Sequence, residues 1–206
     1  GFVPSGYTSY DKYAIGWITP TELTTAKDVT NMRALTDADD VYIIKNSNHP
    51  DEYYLLENRQ QKGWDAKTPA KGMLVLHVDY DPEIWEWNLV NSKSDGEDGG
   101  PTNDHECCTI FHADGKEQSA ELYEKMEEVV EKYENAKTDS ERDKYANEYF
   151  DLEDLLNADI AGDVYPQEGH NSLTNTSTPR AFTYNANTDG RKLMNISITD
   201  ITQNAD

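Results

Sequence analysis

The sequence predicts an α+β fold: a small, mainly antiparallel sheet, an inserted antiparallel helical hairpin and long surface loops. Three observations carry that reading. Tyr53 to Gln60 and Met73 to Tyr80 are apolar, β-branched and aromatic runs of strand length, bounded by turn-forming residues. Residues 116–158 change to a helical period, with Leu122, Met126, Val129 or Val130 and Tyr133 on one stripe, and Tyr145, Tyr149, Leu152 and Leu156 on a second. Ser92 to Asp104 is rich in Gly, Asp and Ser and has no period, as a long exposed loop requires.

In chain order, residues 1–20 open as a Gly-, Pro-, Tyr- and Ser-bearing loop. It leads into one or two helical turns near Tyr13 to Ile18, with Asp11 placed to cap them. Glu22 to Asn31 is polar and Thr-rich, suited to an exposed strand or connection. VYIIK at 41–45 is a strand, and NSNHPDE turns it into the Tyr53 to Gln60 strand as a hairpin. Met73 to Tyr80 is apolar almost throughout and belongs inside the sheet. DPEIWEWN fits a helical turn anchoring two Trp, and CCTIFH returns as a strand. Thr138 with Glu141 forms a capping box that starts the second long helix. Leu193 to Ile201 alternates apolar and polar and predicts a final half-buried strand.

The chain has 206 residues, enough for one well-buried domain or one domain carrying an insertion. Its formal net charge is −22, which argues against nucleic acid, because phosphate binding draws its affinity from Lys and Arg. An anionic membrane surface is disfavoured on the same ground, and no apolar run reaches the length of a membrane span. Cys107 and Cys108 are adjacent. Neighbouring strand residues face opposite ways, so one thiol is expected inside and the other partly exposed, both free. GFVPSGY carries neither a basic start nor an apolar core, so no signal peptide is expected there.

Three segments, in this order, resemble the immune-inhibitor-A-like family of secreted zinc metallopeptidases. PSGYTSYDKYAIGWITPTEL resembles the piece just after that family's Met-containing turn, beneath the zinc. EYYLLENRQQKGWDAKTPAKGMLVLHVDY resembles its signature pair of strands. ADG at Ala113 to Gly115, then GDVYP at Gly162 to Pro166 followed by SLTNTSTP, resembles later parts of the domain. The resemblance implies that 1–206 is the C-terminal part of a peptidase domain, downstream of the zinc-binding helix, with 116–158 as an insertion. It also implies export from a bacterium, a protein or peptide substrate, and zinc in the full-length enzyme.

That family holds zinc with His-Glu-x-x-His on a helix, two His one turn apart and a Glu as base. None of His49, His77, His105, His112 and His170 stands in that pattern. No zinc ligand and no catalytic residue is therefore assigned, and the chain alone is expected to be inactive. A different class of reading is a non-catalytic binding or structural module that keeps the peptidase-like sheet and uses the acidic hairpin as a partner surface.

The substrate-cleft candidates are Tyr7, Tyr10, Glu57 and Arg59. The two Tyr either reach the cleft, where a phenol can donate to an oxyanion, or pack under a neighbouring segment. Glu57 and Arg59 share one strand face and form either a structural ion pair or part of a substrate pocket. His77 is expected to be a hydrogen-bonded core residue. Asp79 and Asp81 flank Tyr80 and are calcium candidates, provided a distant loop adds ligands.

Overall fold

A computed structural model describes residues 5–97 and 99–204. The start of the leading loop (1–4), Asp98 of the predicted 92–104 loop, and 205–206 lie outside the described residues. The fold is α+β. Five strands lie in the order of the chain: β1 (Thr21–Glu22), β2 (Tyr42–Lys45), β3 (Glu52–Arg59), β4 (Gly72–Asp79) and β5 (Cys108–Ile110). All neighbours are antiparallel except β1 with β2. The long strands match the apolar runs to within a residue, and β4 is interior as its composition requires.

Strand alternation divides the sheet into two faces. Tyr53 and Leu55 of β3, with Leu76 and Val78 of β4, meet α1 (Ser9–Ala14) and α2 (Pro82–Glu86) in a core that includes Ile18, Leu35 and Val41. Tyr54 and Leu56, with Val75, face the other way onto Phe111, Tyr165, Leu173, Ala181 and Met194. That second layer is made by the loop-rich C-terminal segment, not by a helix. Helix α1 starts earlier than expected: Thr8 is the N-cap, and Asp11 serves from inside the first turn as the reciprocal half of a capping box. The expected strand at Leu193 to Ile201 is also corrected. Asn195 and Asp200 have φ of 62° and 55°, which interrupts an extended run, so only single bridges form, Phe182 with Leu193 and Leu173 with Ile198.

The helices α3 (Ser119–Glu134) and α4 (Asp139–Ala161) pack on each other around Leu122, Met126 and Leu156. The Thr138–Glu141 capping box is present. Leu122, Met126 and Val129 are buried, whereas Tyr133 and Val130 stay exposed. The hairpin leaves and returns at one place: Asp114 N–H donates to Gly162 O at 3.1 Å. Beyond it, Met73 and Tyr165 exchange two backbone bonds of 2.8 Å, which docks the returning chain beside β4. Gly72 permits this approach, since a Cβ there would stand 2.5 Å from the Tyr165 carbonyl. No helix among the described residues is long and apolar enough to cross a membrane.

Candidate functional site

Two buried polar nodes and one open groove hold the chemistry-bearing residues. The first node grows from the α1 face of β3, where alternation sets Glu57 and Arg59 side by side. Glu57 is 0% and Arg59 7% exposed. Arg59 Nε donates to Glu57 Oε1 at 2.5 Å, and Nη1 donates to Asp65 Oδ1 at 2.9 Å. The same fork reaches the Gly6 carbonyl at 3.2 Å and the Tyr7 carbonyl at 3.0 Å. In return, Gly6 N–H donates to Asp65 at 2.9 Å and Ser9 N–H to Glu57 at 2.5 Å. Burial alone would favour loss of the guanidinium proton, but the Glu57 and Asp65 charges outweigh it and hold the Arg59 pKa above its ordinary value. A planar guanidinium has five donors in a fixed fork, and here that fork ties residues 6–9 to β3.

The second node lies on the opposite face. Glu52, fully buried, accepts from Asn46 Nδ2 (3.0 Å), Tyr184 N–H (2.5 Å), Asn185 N–H (3.0 Å) and His77 Nε2 (2.9 Å). Burial pushes its pKa up, yet these bonds, His77 first, overcome that and hold it below the ordinary value. A carboxylate only accepts, so His77 donates from Nε2. Its ring is stacked between Phe111 and Tyr184, and Nδ1 has no partner among the described residues. His77 is thus the hydrogen-bonded core residue its apolar strand implied.

Around β5 runs a groove of about 940 Å³. Cys108 to Ile110 line it together with Tyr10, Trp85, Phe182, Tyr184 and, on the first turns of α3, Tyr123. β5 is a sheet edge, paired only with β4. Asp79 N–H bonds the Cys107 carbonyl and Phe111 N–H the Val75 carbonyl, so odd-numbered residues face β4 and Cys108 and Ile110 turn outward. The Asn91 side chain meets Cys108 as a strand would, accepting from its N–H at 3.1 Å and donating to its C=O at 2.9 Å. No described residue pairs with the N–H and C=O of Ile110.

Of the four cleft candidates, only Tyr10 lines the groove. Burial, chiefly, pushes its phenol up to about 12, so it remains a hydrogen-bond donor at neutral pH. Tyr7 is 61% exposed and meets Trp17 edge-on at 5.6 Å. Glu57 and Arg59 do not form an open pocket; they are closed inside the tether, where their partners among the described residues are each other, Asp65 and the backbone of 6–9. Cys107 is buried and Cys108 half-buried, both free. Burial raises both thiols to about 11, which makes them poor nucleophiles.

The residues present do not fit calcium at Asp79 and Asp81. Asp79 faces the nitrogen donors Asn185 Nδ2 (3.0 Å) and His105 Nε2 (3.2 Å), where a calcium site needs oxygen ligands. Asp81 is the N-cap of α2, accepting from Glu83 and Ile84 N–H. Zinc fits no better. His77 is bound to Glu52, His112 to Asp163 and His170 to the Thr178 carbonyl, all in different places. Among the described residues no three His, Cys, Asp or Glu gather as a metal site.

The sequence singled out Glu57, Arg59 and His77 but missed Glu52, Asp65, Asn46, Asn91 and Asn185. Glu52 was concealed as the last polar residue of a turn. Its one signal is that it opens a strand whose alternate positions, Tyr54 and Leu56, are apolar. Compared with family models, curated proteins and solved structures, the chain matches none.

Proposed function

We infer that this chain is the C-terminal, cleft-forming part of a secreted bacterial zinc metalloendopeptidase, incomplete for catalysis because its own residues do not hold the metal. One observation supports the reading above the rest: the Glu57–Arg59–Asp65 tether joins the first two of the segments that resemble the family. Residues 6–9 belong to the piece expected beneath the zinc, and β3 belongs to the signature strand pair. An internal charge network at that junction fixes the height of a cleft floor more rigidly than apolar packing alone, since its bonds are directional. Zinc in such an enzyme polarises the scissile carbonyl and activates a bound water. The residues of this chain contribute the wall: Tyr10 as a protonated phenol, Trp85 and Tyr123 as apolar surface, and the β5 edge as backbone.

The reading is tested on the coding sequence upstream of Gly1. A His-Glu-x-x-His helix is expected there, and a protein extended to include it should cleave casein. A start codon or an unrelated domain in that place would replace this reading with the second one, a non-catalytic binding module. The edge groove favours that alternative, because it needs no metal to take up a ligand.

A further inference from the structure

We propose that the open edge of β5 takes up an extended, Lys- or Arg-bearing peptide segment as an added strand. The inference rests on the peptide-handling reading above for the class of its occupant, and on the geometry for its place. Strand addition requires an edge whose outward N–H and C=O are unpaired, with room beside it for alternate side chains. Ile110 supplies the pair of groups. Asn91 already closes Cys108 and Gly115 N–H takes the His112 carbonyl at 2.9 Å, so an incoming strand pairs with the N–H and C=O of Ile110 and ends at the His112 N–H. Tyr10, Trp85 and Tyr123 stand along the groove as apolar and aromatic surface for side chains that point out of the added strand.

The charge of the groove selects the occupant. Asp11, Glu106 and Glu117 line it, and no Lys, Arg or His forms an ion pair with any of them among the described residues. Its basic residue Lys116 is held by Asp114 at 3.2 Å. His112 is bound to Asp163 at 2.6 Å. A cationic side chain entering the groove meets Glu106 and Glu117, which no ion pair among the described residues neutralises, and Asp11, which is held only by Thr8 in the capping box, whereas an acidic one is repelled. A second copy of this chain, carrying −22, is repelled as well.

The test is fluorescence anisotropy on the purified chain with three short fluorescein-labelled peptides, alternating Val with Lys, Ser or Glu. The expected order of affinity is Lys, Ser, Glu, with about 10-fold or more between the extremes and a clear loss of the Lys peptide's advantage at high salt. Ile110→Pro removes the outward N–H without touching a ladder bond, as edge positions allow, and should weaken the Lys peptide about 10-fold. Circular dichroism confirms that this variant is folded. Glu106→Gln with Glu117→Gln leaves the strand alone; it should narrow the gap between Lys and Glu peptides while the Ser peptide binds as before.

Failure of the Lys peptide to bind, undiminished binding by folded Ile110→Pro, or indifference to peptide charge would each overturn the inference. None of these readouts involves zinc or cleavage. Casein cleavage by the extended protein without edge binding removes the inference alone, and edge binding without cleavage removes the peptidase reading alone.

Discussion

The sheet body and the helical hairpin use the same residue type, the carboxylate, in opposite ways. In the body, Glu52, Glu57 and Asp65 are buried, and each is held by donors from segments far apart in sequence, such as Asn46 with Asn185 or Gly6 with Arg59. In the hairpin, most acidic residues lie on exposed helix faces, in pairs one turn apart such as Glu121 with Lys125, or in the Thr138–Glu141 cap; the buried one, Asp159, sits at the base of α4 and accepts from Gln118 N–H at 3.1 Å. A buried carboxylate is costly to strand, so losing one partner leaves the other unsatisfied. An exposed one keeps its water. Charge therefore specifies the architecture of the body and, away from Asp159 at its base, merely solvates the hairpin.

The largest expected effect is at the tether. Arg59→Met leaves Glu57 and Asp65 buried without their cation and should cost about 3–5 kcal/mol in urea unfolding. It should also expose residues 5–9 to proteolysis. A loss no greater than that of a surface substitution would mean the body is not organised by its buried charges. Glu52→Gln comes next. It weakens the acceptor for four donors and should cost about 1–3 kcal/mol, with faster hydrogen exchange at the Tyr184 and Asn185 amides. Thr138→Ala removes an N-cap and should cost about 1 kcal/mol, read as exchange confined to the start of α4.

The junction between the two regions should respond to pH. The Asp163 hydrogen bond, the largest cause, raises the pKa of His112 above its ordinary value despite burial. The folded state thus binds this proton more tightly than the unfolded chain. Its contribution is complete below the ordinary His pKa and is lost as pH rises through the raised folded value. Thermal midpoints taken from about pH 6 to about pH 9 should fall more steeply for the native chain than for His112→Gln. Asp163 is itself raised, by burial first, and acts at lower pH. The smallest effect is at Glu121→Gln, where the urea midpoint should not move.

Local pattern made much of this legible. Strands β2, β3 and β4 follow from apolar runs, the hairpin from its period, and the second helix start from Thr138 and Glu141. What escaped depends on tertiary context. Leu193 to Ile201 alternates like a strand but is broken by Asn195 and Asp200 in left-handed conformations, which composition alone does not force. The nodes escaped because a Glu at a strand start is indistinguishable by sequence from a solvated turn residue until Asn185 arrives from more than a hundred positions away. The groove escaped for a similar reason. Its defining feature is a backbone edge, and an edge is a property of topology rather than of side chains.

Zinc content of the purified chain, measured alongside casein hydrolysis, tests the central functional claim most directly. The account predicts no stoichiometric zinc and no cleavage. One zinc per chain together with hydrolysis would contradict it.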